Sequence, residues 1–189
     1  NDHVEWQQKP MRAVSVPLFL TSEQCGVVVE DASTAGFAKA TAQDADGNPI
    51  RHKLRSYNFV RLPRRTDREW LYQLVIAKAE EMNRENWRFA VTGIEDIFVN
   101  RYRPGKRAKW HFDIHIGSDR KIICVVNLSE PRAYWRGGLQ VRGRHENKRI
   151  AGLQGSATLF PAYMEHRAKA PWWGERFSMI ALLTGPAWT

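Results

Sequence analysis

The chain has 189 residues, 43% of them hydrophobic and 11% aromatic, which excludes a disordered segment and suffices for a single domain with a substantial core. No run approaches the roughly 18 apolar residues of a membrane helix, and the opening Asn1-Asp2-His3-Val4-Glu5 lacks the basic-then-apolar order of a secretory leader, so no membrane association is expected. A formal net charge of +9 favours anionic partners, but the 29 Lys and Arg are scattered and form no zinc-finger or RNP pattern, so nucleic acid is not the expected partner.

Residues 1–12 read as a loose arm. Val14 to Leu20 is a short apolar strand broken by Pro17. Thr21-Ser22-Glu23-Gln24 then opens a helix with a capping box, running to about Ala32 with Cys25, Val28 and Val29 inward. Gly36 to Ala42 is a candidate strand, Asp44 to Pro49 a turn cluster, and Arg55 to Leu62 a further strand. Thr66-Asp67-Arg68-Glu69 reads as a second capping box, with a helix to about Arg84. Its core stripe is Trp70, Leu71, Leu74, Val75, Ala79 and Met82. From Trp87 the pattern changes to short strand-like runs: Trp87–Val91, Ile94–Arg103, Lys109–Ile116, Lys121–Leu128, Leu139–Val141, Ala157–Phe160, Glu165–Ala168 and Phe177–Leu183. Two helices followed by such strands predict an α+β, mainly β chain. Its architecture would be a jelly-roll or double-stranded β-helix (94–185), with an N-terminal helical support region (13–93) packed on one sheet. Cys25 and Cys124, far apart in apolar surroundings, predict buried free thiols in a reducing, cytoplasmic setting.

The chemistry centres on Trp110-His111-Phe112-Asp113. On a strand, alternate residues share a face, so His111 and Asp113 would project together. An imidazole and a carboxylate are two-thirds of the facial triad that suits non-haem iron(II). His166, after the apolar Leu159-Phe160-Pro161, is the candidate third ligand. Arg176, ten residues beyond, would reach the same side through a hairpin with Pro171 and Gly174 in its loop. A guanidinium there is a bidentate clamp for a carboxylate. Taken singly, each of these residues has a bland structural explanation; their joint spacing carries the reading. His115 shares the expected strand face, but strand neighbours two apart advance about 6.5–7 Å. It is therefore a candidate substrate contact rather than a further ligand. His3, His52 and His145 have no partner pattern.

These residues resemble the iron(II)- and 2-oxoglutarate-dependent dioxygenases, specifically the prolyl-4-hydroxylase and lysyl-hydroxylase branch. His111, Asp113, His166 and Arg176 match that branch's His-x-Asp, distal His and basic residue. Tyr102-Arg103-Pro104-Gly105 matches its Tyr-x-Pro-Gly, and Asn127-Leu128-Ser129-Glu130-Pro131 through Gly137-Gly138-Leu139 its following connection. Gly155 to Pro161 resembles the strand before its distal histidine, and Phe19 to Cys25 its first helix. The resemblance implies iron(II) on His111, Asp113 and His166, and 2-oxoglutarate held by Arg176 with help from Tyr102. It also implies dioxygen as oxidant, with ascorbate as an optional reductant. The implied reaction is hydroxylation of an unactivated C–H bond with release of succinate and carbon dioxide. Asp113 stands where related halogenases carry a small residue, which implies hydroxylation rather than halogenation.

There are departures. Ala108 stands where the branch often has a tyrosine on the substrate side of iron, which argues against peptidyl proline. Leu139 follows Gly138 where a glutamate is usual. The expected substrate is an amino-acid side chain, free, peptidyl or carrier-bound, with His115, Trp110, Trp135, Arg55 and Arg61 as candidate contacts. Nucleic-acid oxidation by the same chemistry, and a non-catalytic jelly-roll module, are the alternatives.

Overall fold

The computed structural model describes residues 12–43, 49–51, 54–114, 117–145 and 152–188. The arm up to residue 11, the turn cluster at 44–48, and His3, His52 and His115 lie outside them. The first half contributes β1 (Arg12–Val16), α1 (Ser22–Ala35), β2 (Ala38–Lys39), β3 (Thr41–Gln43), β4 (Pro49–Arg51), β5 (Asn58–Leu62) and α2 (Glu69–Asn86). The second half contributes β6 (Gly93–Ile94), β7 (Ile97–Tyr102), β8 (Ala108–His111), β9 (Arg120–Asn127), β10 (Tyr134–Trp135), β11 (Gly138–Val141) and β12 (Arg144–His145). It ends with β13 (Ala157–Pro161), β14 (His166–Lys169), β15 (Trp173–Gly174) and β16 (Arg176–Thr184).

Two sheets face each other. The larger has the order β12-β1-β13-β9-β16-β7-β5-β2, with β6 also on β16; the smaller is β11-β14-β8. This is the jelly-roll expected. Its larger sheet, however, recruits β1, β2 and β5, so the N-terminal region supplies strands as well as helices.

Each central strand is explained by burial on both faces. In β9, Ile122, Cys124 and Val126 pack with the helices, while Ile123 and Val125 turn to the space between the sheets. An apolar run without alternation is what two-sided burial requires. In β16, Met179, Ala181 and Leu183 join the helical layer, and Arg176, Ser178, Ile180 and Leu182 line the cavity. The helices complete the first layer through Cys25, Val28 and Ala32 of α1 and Leu71, Tyr72, Val75 and Ala79 of α2.

Local chemistry explains the departures from the expected elements. The Thr21 capping box forms as expected, with Oγ1 accepting from Gln24 N–H and Gln24 Oε1 from Thr21 N–H, but α1 runs on to Ala35. Thr66 does not cap α2. Residues 66–68 form a 3₁₀ turn, because the acids are taken by neighbours: Asp67 by Arg65, Glu69 by Arg64 and the Gln73 amide. Trp70 is exposed, and Tyr72 takes its place in the core, its hydroxyl donating to the Leu62 carbonyl. Trp87–Val91 is not a strand. Arg88 has φ 56°, and the alternating look of this segment comes from Trp87 and Phe89 burying individually. β1 ends at Val16, before the turn at Pro17, and the segment at 36–43 splits between β2 and β3.

Glycine is required where two loops meet backbone. At Gly155 (φ 73°) a Cβ would stand 2.0 Å from the Leu20 carbonyl oxygen, and at Gly174 (φ 78°) 2.1 Å from that of Ala133. The first contact ties the start of α1 to the loop before β13, reinforced by the Leu20 N–H to Gly155 carbonyl bond of 2.9 Å.

Both cysteines are free and buried. Burial pushes the Cys25 thiol up to about 11, only partly offset by a hydrogen bond from the Gly155 backbone, and pushes Cys124 higher still. Thiolate is the reactive form. Both are therefore expected to resist iodoacetamide at neutral pH while folded and to react on denaturation. Labelling of the native chain as fast as a free thiol, read by mass spectrometry, would contradict this.

Candidate active site

β8 and β14 run antiparallel with His111 opposite His166 and Ala108 opposite Ala168. Between these pairs β8 holds one residue more than β14, a β-bulge at Lys109 and Trp110. The extra residue resets the side-chain alternation, so Ala108 and His111, three apart, both line the cavity. The bulge also turns the Lys109 carbonyl to His111 Nδ1 at 2.7 Å; the Met164 carbonyl lies 3.1 Å from His166 Nδ1. A carbonyl oxygen only accepts, so both Nδ1 atoms carry the proton. Both Nε2 lone pairs are left to point at a common centre.

β8 ends at His111, and Asp113 lies in the bend beyond it. A shared strand face is therefore not what unites these two side chains; the bend turns the carboxylate back. Asp113 Oδ1 is 3.6 Å from His111 Nε2, and Oδ2 is 3.4 Å from His166 Nε2. The three donors lie within 4.8 Å of one another. Ligands at about 2.1 Å from one ion stand roughly 3 Å apart when adjacent, so a small contraction closes this set on a metal. Burial opposes ionisation of Asp113, yet its neighbours His166, then Arg55 and His111, hold its carboxyl well below the usual carboxylate range. Burial, and then His166, push His111 below the usual imidazole range. A deprotonated carboxylate and neutral imidazoles are the forms that bind metal.

The cavity between the sheets encloses about 190 Å³. At one end lies Arg176, 3% exposed, its Nε buried with no hydrogen-bond partner among the described residues. It pairs in register with Tyr102, and its guanidinium stands 5.6 Å from the Tyr102 ring centre. The Tyr102 hydroxyl accepts from Asn100 Nδ2 at 3.2 Å, and burial raises its pKa despite Arg176. Asn100 and Ser178, which no motif marked, line the same end through strand alternation on β7 and β16. The hairpin expected between His166 and Arg176 is absent. β14 belongs to the smaller sheet and β16 to the larger, with β15 pairing to β10 between them. The two residues meet across the cavity because the chain changes sheets.

Arg55 reaches the cavity, and its Nη2 donates to Asp113 Oδ1 at 2.9 Å. Trp110 is directed to the outer side of the smaller sheet between Arg142 and Arg167. Trp135 is exposed against Trp172, and Arg61 is exposed and paired with Asp96; neither lines the cavity. These three expected substrate contacts thus stand away from the cavity lining, while His115 lies outside the described residues. Sequence reading missed Arg120, whose Nε and Nη2 donate to Glu95 at 2.6 and 3.0 Å and whose Nη1 donates to the Asp113 carbonyl at 3.2 Å. Its only signal is a cation at the start of an apolar strand. Tyr57 was missed too. Its ring packs 4.9 Å from Tyr102, in a cluster with Ala108 and Ala168, filling room that a larger residue at 108 would claim.

These residues fit a metal and a small diacid: two preset imidazole nitrogens and a carboxylate at one end, a buried guanidinium with an unused N–H at the other. Residues 97–183 match the family profile of the 2OG-Fe(II) oxygenase superfamily. No curated protein sequence matches the chain. Among solved structures it is similar to a viral collagen prolyl hydroxylase from Paramecium bursaria Chlorella virus-1 (TM-score 0.69, 16% identity, 92% of this chain and 96% of that one). It is also similar to a Pseudomonas putida prolyl-4-hydroxylase (TM-score 0.69, 14% identity, 91% and 92%). A third is a Trichoplax adhaerens prolyl hydroxylase solved with a peptide fragment of hypoxia inducible factor (TM-score 0.68, 16% identity, 95% and 86%). Residues 97–183 carry a 2OG-Fe(II) oxygenase domain, in a chain with the fold of these prolyl hydroxylases. That domain is of the 2-oxoglutarate-dependent dioxygenase type, whose cofactor set is iron(II), 2-oxoglutarate and dioxygen, and the three donors fit it. No helix among the described residues is long and apolar enough to cross a membrane.

Proposed function

We propose that His111, Asp113 and His166 hold iron(II), that Arg176 and Tyr102 hold the far carboxylate of 2-oxoglutarate, and that the enzyme hydroxylates an unactivated C–H bond of an amino-acid side chain. The observation that carries the reading is the pair of imidazoles fixed by backbone carbonyls with both Nε2 atoms aimed beside one carboxylate. Iron(II) with the oxo-acid and dioxygen supplies the oxidising power, leaving succinate and carbon dioxide as coproducts. The chain's own contribution is positioning. Arg176 fixes one end of the diacid, and the apolar walls Ile123, Val125, Ile180 and Leu182 limit water around it. Arg120, held by Glu95, fixes the Asp113 backbone; Arg55 orients its carboxylate.

The peptide bound to the Trichoplax enzyme supports a peptidyl substrate here as well. Ala108 favours a side chain other than proline. The test is iron-dependent succinate formation from 2-oxoglutarate in the presence of amino-acid and peptide pools, with mass spectrometry for gain of one oxygen atom. No succinate from iron-loaded protein would overturn the proposal.

Arg55 gives a separate check. Arg55→Gln removes the cation from Asp113 Oδ1. Loss of an outer partner of a metal ligand typically costs about 10–100-fold in metal affinity. We expect a loss in that range by manganese titration without substrate, with 2-oxoglutarate affinity at saturating metal unchanged; unaltered metal affinity would remove Arg55 from this role.

A further inference from the structure

We propose that the outer face of the smaller sheet binds single-stranded nucleic acid. This surface is the reverse of the sheet that carries His111 and His166; Arg167 borders both it and the cavity, but the proposal does not depend on the cavity chemistry. The helices lie against the larger sheet, so among the described residues the outer side of β8 and β14 has no helical cover. A groove there is lined by Arg107, Lys109, Arg167 and Lys169, with no carboxylate among the described residues of its walls. None of the four has an ion-pair partner among the described residues; the one acid paired nearby, Glu165, is taken by Arg142. These cations come from two separate chain segments, which is why the sequence showed only scattered charge.

Aromatic rings are interleaved with them. The guanidinium carbons of Arg142 and Arg167 lie 4.7 and 4.5 Å from the Trp110 ring centre. Arg136 lies 4.2 Å from Trp172 and 4.9 Å from Trp135. Trp172 and Trp173 remain 62% and 52% exposed, on a strip that continues the groove past Pro171. A cluster of exposed tryptophans is a large apolar area left in water, and such areas mark binding surfaces. Single strands are bound by this combination: cations track phosphates and flat rings stack on bases. A guanidinium over an indole can still donate to phosphate oxygens: Arg136 is placed to do so, and Arg167 through its terminal nitrogens, its Nε being taken by Gln140 Oε1. An acidic peptide would satisfy the cations but leave the tryptophan faces uncovered, so the observations favour the nucleic acid.

The test is fluorescence anisotropy of a labelled thymine oligonucleotide titrated with the metal-loaded protein over a range of salt. With four cations engaged, log K is expected to fall with log salt at a slope of about −3. Trp172→Ala should weaken binding about tenfold. Arg107→Gln with Lys169→Gln should flatten the slope by about 1.4 while leaving 2-oxoglutarate turnover unchanged. Lys39→Gln with Arg84→Gln, an equal charge loss at other exposed positions, should leave the slope as it was. No binding at low salt, or equal losses in the two double variants, would overturn the proposal. So would displacement by poly-glutamate at matched affinity with the same Trp172 dependence, which would assign the face to an acidic peptide.

Discussion

Alanine at His111, Asp113 or His166 is expected to abolish iron-dependent succinate formation. An outer partner is worth about 10–100-fold in metal affinity, and a direct ligand exceeds that. Asp113→Ala should be the most damaging, because it removes a donor and leaves Arg55 facing two imidazoles without a counter-charge. His166 is buried beside Phe160, so its loss also opens a small cavity; His111 stands at the strand end, where truncation is easier to accommodate. Thermal melts alongside manganese titrations separate lost binding from lost folding. A folded variant that still turns over 2-oxoglutarate would show that the metal sits elsewhere.

Arg176→Gln is expected to strip the enzyme of its cosubstrate while sparing the metal. The guanidinium is almost wholly enclosed, so no water replaces it. Removing one partner of a buried charge pair costs about 2–5 kcal/mol; about 3 kcal/mol corresponds to roughly 150-fold in Kd. Manganese affinity should be unchanged, since Arg176 touches none of the three candidate ligands. Arg176→Lys should fall between, keeping charge but losing the fork that matches a carboxylate. An unaltered KM for 2-oxoglutarate in Arg176→Gln would place the diacid at another cation.

The central strands were legible because burial on both sides writes itself as an unbroken apolar run, as in Ile122 to Val126. The first helix was legible because Thr21 and Gln24 form a capping box whose two bonds are both made. The second helix was legible from its apolar stripe and forms over Glu69–Asn86; only its cap differs, because the pattern at Thr66 competes with Arg64 and Arg65, which capture its acids. Sequence spacing selected the three donors and the buried guanidinium that the structure gathers around one cavity. What brings them together differs from the expected geometry: Asp113 is beyond the strand, and Arg176 is in the opposite sheet from His166. Pairwise spacing cannot say whether ten residues turn back on themselves or cross to another layer. The outer contacts Arg55 and Arg120 are more than fifty residues and a sheet apart, and only folding makes both touch Asp113.

The extra residue in β8 has an evolutionary corollary. Were the bulge flattened at the present length, His111 would stand three residues from Ala108 on a regular strand, and the imidazole would turn to the solvent side. Substitutions along this strand change one side chain at a time, but loss of the bulge without loss of a residue would invert the inside and outside of everything that follows. Deleting Lys109 or Trp110 together with the bulge would instead leave the histidine two residues on and still facing the cavity, so length and irregularity have to change together.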